Sequence, residues 1–213
     1  MLDYQKDFIH FALDCHALKF GEFQLKSGRT SPYFFDTGLF NTGKKLGKLG
    51  QYYAQALIQS GIHADTLYGP AYKGIPLVSA TSIAYAQLTN KDIPFTFNRK
   101  EAKDHGEGGM LVGSPLQNKV VILDDVITAG TSVRESIDII TDAGAIPAGI
   151  LIALDRQEKG LNDISIIQEL KQNYRLPVIA IISLAEIIEF IAVSPENNNH
   201  IEAIKHYQQT YGA

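Results

Sequence analysis

Cysteine is all but missing from this chain: Cys15 is the only one in 213 residues. That excludes an intramolecular disulfide and any zinc site built from several cysteines, and a reducing cytoplasm is the expected location. A basic excess is missing as well. Lys and Arg total 19 against 23 Asp and Glu, a formal charge of −4, so the surface as a whole does not suit nucleic acid or an acidic membrane. No nucleic-acid or membrane partner is expected, and any polyanion must be met by a local cluster. The first residues, MLDYQKDFIHFALD, lack the basic-then-apolar order of a signal peptide. The greasiest stretch, Pro177 to Val193, is interrupted by Glu186 and Glu189; it predicts a buried strand through Ile182 and then a helix, not a membrane span. There is no internal repeat and no low-complexity tract.

What is present fits one domain over residues 1–213, since 45% hydrophobic content at this length supports a substantial core. Phe8, Phe11, Ala12 and Cys15 share one helical face, and Leu46, Leu49, Tyr53 and Leu57 another, with Gly61 placed as a helix stop. Short strands are predicted at Thr66–Gly69, Phe95–Asn98, Lys119–Asp124, Ala148–Leu154 and Val178–Ile182, several of them separated by helical runs. This alternation predicts an α/β fold with a mostly parallel central sheet flanked by helices. Residues 20–40, punctuated by Gly21, Gly28, Pro32 and Gly38, read as a small N-terminal hood over the sheet's edge.

The densest chemistry lies in VVILDDVITAGTS, Val120 to Ser132. Four apolar residues make a strand covered on both faces, and Asp124 and Asp125 then fall at its carboxyl end, where open α/β sheets place ligands. Thr128, Ala129, Gly130, Thr131 and Ser132 carry no bulky side chain, so their backbone N–H groups can converge on an anion, with hydroxyls as added donors. Val133, Ile137 and Ile140 then mark a helix whose positive end faces that anion. Acid beside a phosphate cup suits a ligand with both hydroxyls and phosphate, such as a ribose 5-phosphate. The bland alternative is a strand ending in a helix-capping aspartate.

Three further segments carry charge near strand ends. Arg99 to Gly109 holds Arg99, Lys100, Lys103 and His105 and ends in glycines, the composition of a mobile lid over an anion, although Glu101, Asp104 and Glu107 nearly balance it and a solvated loop has the same composition. Gly69-Pro70-Ala71-Tyr72-Lys73-Gly74 leads from a strand to a helix and can present Lys73 to an anion, or be a plain Gly-Pro turn. Arg156 emerges beyond Leu154 on the same sheet edge as Asp124, where it can grip a planar carboxylate or pair with Asp155 or Glu158. Gly38 to Lys44 matches G-x-x-x-x-G-K, but Lys45 stands where a magnesium-binding hydroxyl belongs and no apolar strand precedes it, so no P-loop is assigned.

The run from Val120 to Ser132 resembles the phosphoribosyl-pyrophosphate (PRPP) signature of the type I phosphoribosyltransferases, and RKEAKDHGEGG resembles the flexible catalytic loop of the orotate-using members of that family. The resemblance runs from Lys26 to Arg156 and implies the type I phosphoribosyltransferase fold. It also implies transfer of the 5-phosphoribosyl group of PRPP to orotate, giving orotidine 5-monophosphate and pyrophosphate with Mg²⁺, in pyrimidine synthesis. By the same resemblance Asp124 and Asp125 hold the ribose hydroxyls, and the run Val126, Ile127, Thr128, Ala129, Gly130, Thr131 and Ser132 holds the 5-phosphate. Lys26, Tyr72, Lys73, Arg99, Lys103 and His105 meet pyrophosphate, Phe34 and Phe35 line the pyrimidine, and Arg156 contacts orotate. It further implies a homodimer in which Arg99, Lys103 and His105 close over the neighbouring subunit's site while Lys100 serves its own, with Mg²⁺ bound mainly through PRPP and water. Lys26, Arg99, Lys103, His105, Asp124 and Asp125 are the catalytic set on this reading. A family member using another base, or a PRPP-binding regulator, shares the strand-acid-loop signature; the intact lid sequence speaks against the regulator.

Overall fold

In the computed structural model, which describes residues 1–25, 28–103, 109–160 and 164–213 (only the backbone at 102 and 103), the chain opens with helix α1 (Asp3–Asp14) and a hairpin, β1 (Leu18–Gln24) and β2 (Thr30–Phe35), closed by a 3-10 turn at Thr37–Leu39. Then follow α2 (Gly43–Ser60), β3 (Thr66–Gly69), α3 (Gly74–Thr89), β4 (Phe95–Lys103), β5 (Gly109–Gly113), β6 (Lys119–Leu123), α4 (Thr131–Asp142) and β7 (Ile146–Asp155). Helices α5 (Ile166–Tyr174), α6 (Leu184–Ile191) and α7 (Asn198–Tyr211), with β8 (Val178–Ser183) between the first two, complete the chain.

The hairpin forms its own two-stranded sheet, and the main sheet runs β5-β4-β3-β6-β7-β8. All its neighbours pair in parallel except β4 with β5. Successive residues of a strand face opposite sides. Val121 and Leu123 of β6 accordingly enter a core shared with Phe8 of α1, Tyr53 of α2, Val78 of α3 and Ile187 of α6, while Val120 and Ile122 enter a second core with Val133 and Ile140 of α4 and Leu170 of α5. The expected strand buried on both faces, with helices over both sides of the sheet, is what forms.

Helix ends follow the local chemistry. Gly61 closes α2 at φ 67°, a left-handed conformation glycine takes without Cβ strain. Glu186, which breaks the apolar run after Pro177, returns a carboxylate to the Ser183 N–H while the Ser183 hydroxyl accepts from the Glu186 N–H, so the polar interruption is the capping box of α6. No helix among the described residues is long and apolar enough to cross a membrane. Gly43 and Lys44, the false P-loop, simply open α2, whose N-terminus is capped by Thr42 accepting from the Lys45 N–H.

Two regions differ from expectation. Residues 99–103 continue β4 instead of leaving it, because β5 pairs antiparallel alongside, with Asn98 opposite Leu111 and Lys103 opposite Gly109. β5 itself, bounded by Gly109 and Gly113 and half open to solvent, lacks the apolar alternation that would announce a strand. The hood is a true hairpin, with Leu18 opposite Phe35 and Gln24 opposite Thr30.

Candidate active site at the sheet's switch point

From β3 the chain crosses through α3 to β4 on one side, and then returns to β6 on the other side of β3. Ligands of open α/β sheets bind where the order reverses in this way. Tyr68 of β3 is in register with Ile122 of β6, so the segments after Gly69 and Leu123 leave the sheet side by side at that point.

The β6 side carries the acidic pair. The Asp125 carboxylate holds Lys73 Nζ at 2.5 Å and accepts from the Thr37 hydroxyl at 2.9 Å. Asp124 accepts from the Asp125 N–H at 2.8 Å, and the fully buried Tyr53 hydroxyl donates to the Asp124 carbonyl at 2.8 Å. Burial first, and then the neighbouring Asp125 charge, raise the Asp124 carboxyl to about 6. Burial opposes the Lys73 charge, but Asp125, Asp36 and Asp124 outweigh it and the ammonium is held more firmly than usual. Tyr53 is pushed well up by burial and then by both aspartates, so it stays a proton donor. Tyr53 was visible in the sequence only as an apolar helix position, and Thr37 gave no signal at all.

The loop that follows is anchored through its apolar residues. Ile127 is buried in the second core and Val126 packs on the first. Thr128, Ala129 and Thr131 are exposed. Gly130 caps α4 at φ 73°, and a Cβ there would stand 2.8 Å from Ile166. The left-handed conformation favours glycine there. The first N–H groups of α4 have no intrahelical partner and point out of the loop. Arg134 ties the Ala129 carbonyl at 2.8 Å and pairs with Glu169 of α5 at 2.5 Å.

Opposite lies the turn from β3 to α3. A Cβ on Gly69 would meet the Gly74 carbonyl oxygen at 2.2 Å, so the tight return that brings Lys73 over Asp125 requires both glycines. The turn is braced from β4, where Asn98 Oδ1 accepts from the Ala71 N–H at 2.8 Å. A cleft of about 220 Å³ opens here, lined by Ala71, Asn98, Lys100, Thr131 and Ser132 among others. Tyr72 is exposed beside it, and Arg99 and Lys100 stand on β4.

Arg156 lies just beyond β7, the neighbour of β6. Its Nε donates to Glu158 Oε1 at 2.8 Å, Nη2 lies 2.6 Å from the same oxygen as an ion pair, and the guanidinium lies 4.4 Å from the Tyr33 ring centre. Of the two partners open to it in the sequence, Glu158 is engaged. The hood's aromatic pair is split by strand alternation: Phe34 is exposed and stacks on Phe23 at 5.5 Å, whereas Phe35 is buried against Phe8. The two rings expected to line a pyrimidine thus face opposite sides of the hairpin. Lys26 and His105, and the Lys103 side chain, lie outside the described residues.

A family model of the phosphoribosyl transferase domain matches residues 40–180. Over 212 residues, covering all of both chains, the protein is 56% identical to the orotate phosphoribosyltransferase of Yersinia enterocolitica and 57% identical to that of Cronobacter sakazakii. Its backbone is similar to the crystal structure of Francisella tularensis orotate phosphoribosyltransferase, with a TM-score of 0.89 at 45% identity over 97% of this chain and 100% of that one. An acidic pair and an anion loop at the switch point, a lysine poised over them and an arginine on the next strand thus sit in a chain that belongs to the phosphoribosyltransferases and, among them, to the orotate phosphoribosyltransferases.

Proposed function

We propose that the chain transfers the 5-phosphoribosyl group of PRPP to orotate, releasing pyrophosphate and forming orotidine 5-monophosphate in pyrimidine synthesis, with the ribose phosphate bound along β6 and its loop. The observation that carries this reading is the junction of Asp124, Asp125 and the Thr128–Ser132 loop facing Lys73. The loop's backbone donors suit the 5-phosphate, and the two carboxylates suit the ribose hydroxyls and the positive charge that grows on the sugar as the bond to pyrophosphate loosens. Lys73, already held at the site by an opposite charge, can be taken over by the departing pyrophosphate. Lys26, Arg99, Lys103 and His105 add cations from the hood and the lid segment, Lys100 serves its own subunit, and exclusion of water by the lid strengthens each contact. Phe34 offers a flat apolar face to the pyrimidine, and Arg156 a donor group to the orotate carboxylate.

Mg²⁺ keeps several waters and takes one or two carboxylates together with substrate phosphates, a share that Asp124 and Asp125 fit, the rest coming from PRPP and water. Bound with PRPP, the ion would neutralise charge on the pyrophosphate. The reading places the enzyme in the cytoplasm as a homodimer with sites shared across the interface. Supplied with PRPP and Mg²⁺, the protein should release pyrophosphate far faster with orotate than with uracil, hypoxanthine or adenine; equal rates with orotate and uracil would sink the assignment of base. For the shared site, mixing Lys103→Ala with Asp125→Asn under subunit exchange should restore roughly a quarter of wild-type activity, because half the dimers are hybrids with one whole site. No recovery, with exchange confirmed by mass, contradicts it.

A further inference from the structure

Glu158 does more than neutralise one arginine. Its Oε1 accepts from Arg156 Nε at 2.8 Å, lies 2.6 Å from Nη2 and accepts from the Tyr33 hydroxyl at 3.3 Å, while its Oε2 lies 3.6 Å from Arg29 Nη1. Arg156 is further fixed by Nη2 donating to the Ser31 hydroxyl at 3.3 Å. A guanidinium has five N–H donors. Glu158 and Ser31 engage Nε and Nη2, and Nη1 stays outside these contacts. The cluster thus holds the planar group by its Nε–Nη2 edge.

The segment carrying Glu158 is itself held by the last helix. Lys159 N–H donates to the Tyr211 carbonyl at 2.8 Å, Ala213 N–H to the Gln157 carbonyl at 3.0 Å, and the Tyr211 ring lies 4.8 Å from the Arg29 guanidinium. Tyr207 of α7 packs edge-on against Tyr33, with ring centres 6.4 Å apart, and its hydroxyl interacts with Glu158 and Arg156. Two arginines and one glutamate leave a single uncompensated positive charge, the complement of one carboxylate.

We propose that Glu158 is a positioning residue for the pyrimidine substrate, fixing the Arg156 guanidinium so that its Nη1 end meets the substrate carboxylate, and that α7 is the support that keeps Glu158 in place. The inference rests on the reading in which Arg156 contacts orotate. It assigns a role in substrate selection to the end of the chain, where the sequence shows no site. A carboxylate left free to turn the arginine, or absent, lets the group sample orientations that lose the bond, because charge-assisted pairs depend on geometry.

The test is steady-state kinetics with each substrate varied at saturating levels of the other, on Glu158→Gln, Tyr207→Phe and Arg156→Ala. Glu158→Gln keeps the shape and removes the charge. It should raise the orotate KM by roughly 10-fold or more while leaving the PRPP KM within about twofold. Tyr207→Phe should raise the orotate KM by about 2- to 5-fold, again without moving PRPP. An orotate KM that is unchanged or lowered in Glu158→Gln overturns the proposal, a lowered one marking Glu158 as a competitor for Arg156. If Glu158→Gln does not fold, Tyr207→Phe decides in its place, an unchanged orotate KM overturning the supporting role of α7 and with it the proposal. Arg156→Ala separates the two levels: no effect on orotate there refutes the underlying reading, whereas a large effect there with none in Glu158→Gln refutes this inference alone.

Discussion

At the end of β6 two like charges stand next to each other, half-buried, and one of them is driven toward its neutral form, whereas at the end of the adjacent β7 a guanidinium and a carboxylate cancel each other over an aromatic ring. The first arrangement is costly to the folded chain even with the Lys73 ammonium on Asp125. The second has its main ion pair in place without a ligand. In general, adjacent carboxylates disfavour each other's ionised form, and a partly buried opposite pair with good geometry holds its place. On the proposed reading, the sugar end of the site is therefore the strained end, and the base end is the better-partnered one.

Neutralising the strained end should have the largest effect on activity. Asp124→Asn with Asp125→Asn is expected to lower turnover by roughly 100- to 1000-fold, as loss of charge stabilisation in a transition state commonly does. The fold should survive, and a thermal melt should show a midpoint no lower than wild type; a collapsed melt with the activity loss would erase the contrast. Removing the satisfied end should do the reverse. Arg156→Ala is expected to cut kcat/KM for orotate by roughly 30-fold or more and also to lower stability, because Glu158 is left buried without its main partner.

The smallest effect concerns pH. In the folded chain Asp124 holds its proton up to about 6, but it lets go near 3.8 when unfolded. The folded state binds more protons in that window, so its contribution to stability is present below about pH 4 and is lost as pH rises through 6. Asp124→Asn should therefore be more stable than wild type above pH 6, by on the order of 2 kcal/mol, with the gain vanishing near pH 4. Denaturant titrations at the two pH values check it, and a gain independent of pH would show that Asp124 is not strained.

Much of this contrast was legible in the sequence. The β6 strand, the acid pair, the small-residue loop and α4 are contiguous, so periodicity and residue type are enough to assemble them. Lys73 and Arg156 were placed by the rule that strand ends carry ligands. Contacts between distant segments were not legible. Thr37 meets Asp125 across 88 positions and Tyr53 meets Asp124 across 71, and neither residue type announces such a partner. The hood's pairing was hidden because Gly21 and a register shift between Phe20 and Phe23 break the strand alternation. The division between Phe34 and Phe35 follows from that pairing, since only a strand sends neighbouring rings to opposite faces.

The division into a sugar end and a base end is tested most directly by measuring Asp125→Asn and Arg156→Ala side by side, with both substrates varied. The account predicts that the first changes turnover and the kinetic constants for PRPP but leaves the orotate KM near wild type, and that the second raises the orotate KM and leaves the PRPP KM alone. If each variant disturbed both substrates equally, the two strand ends would be acting as one site and the division would be wrong.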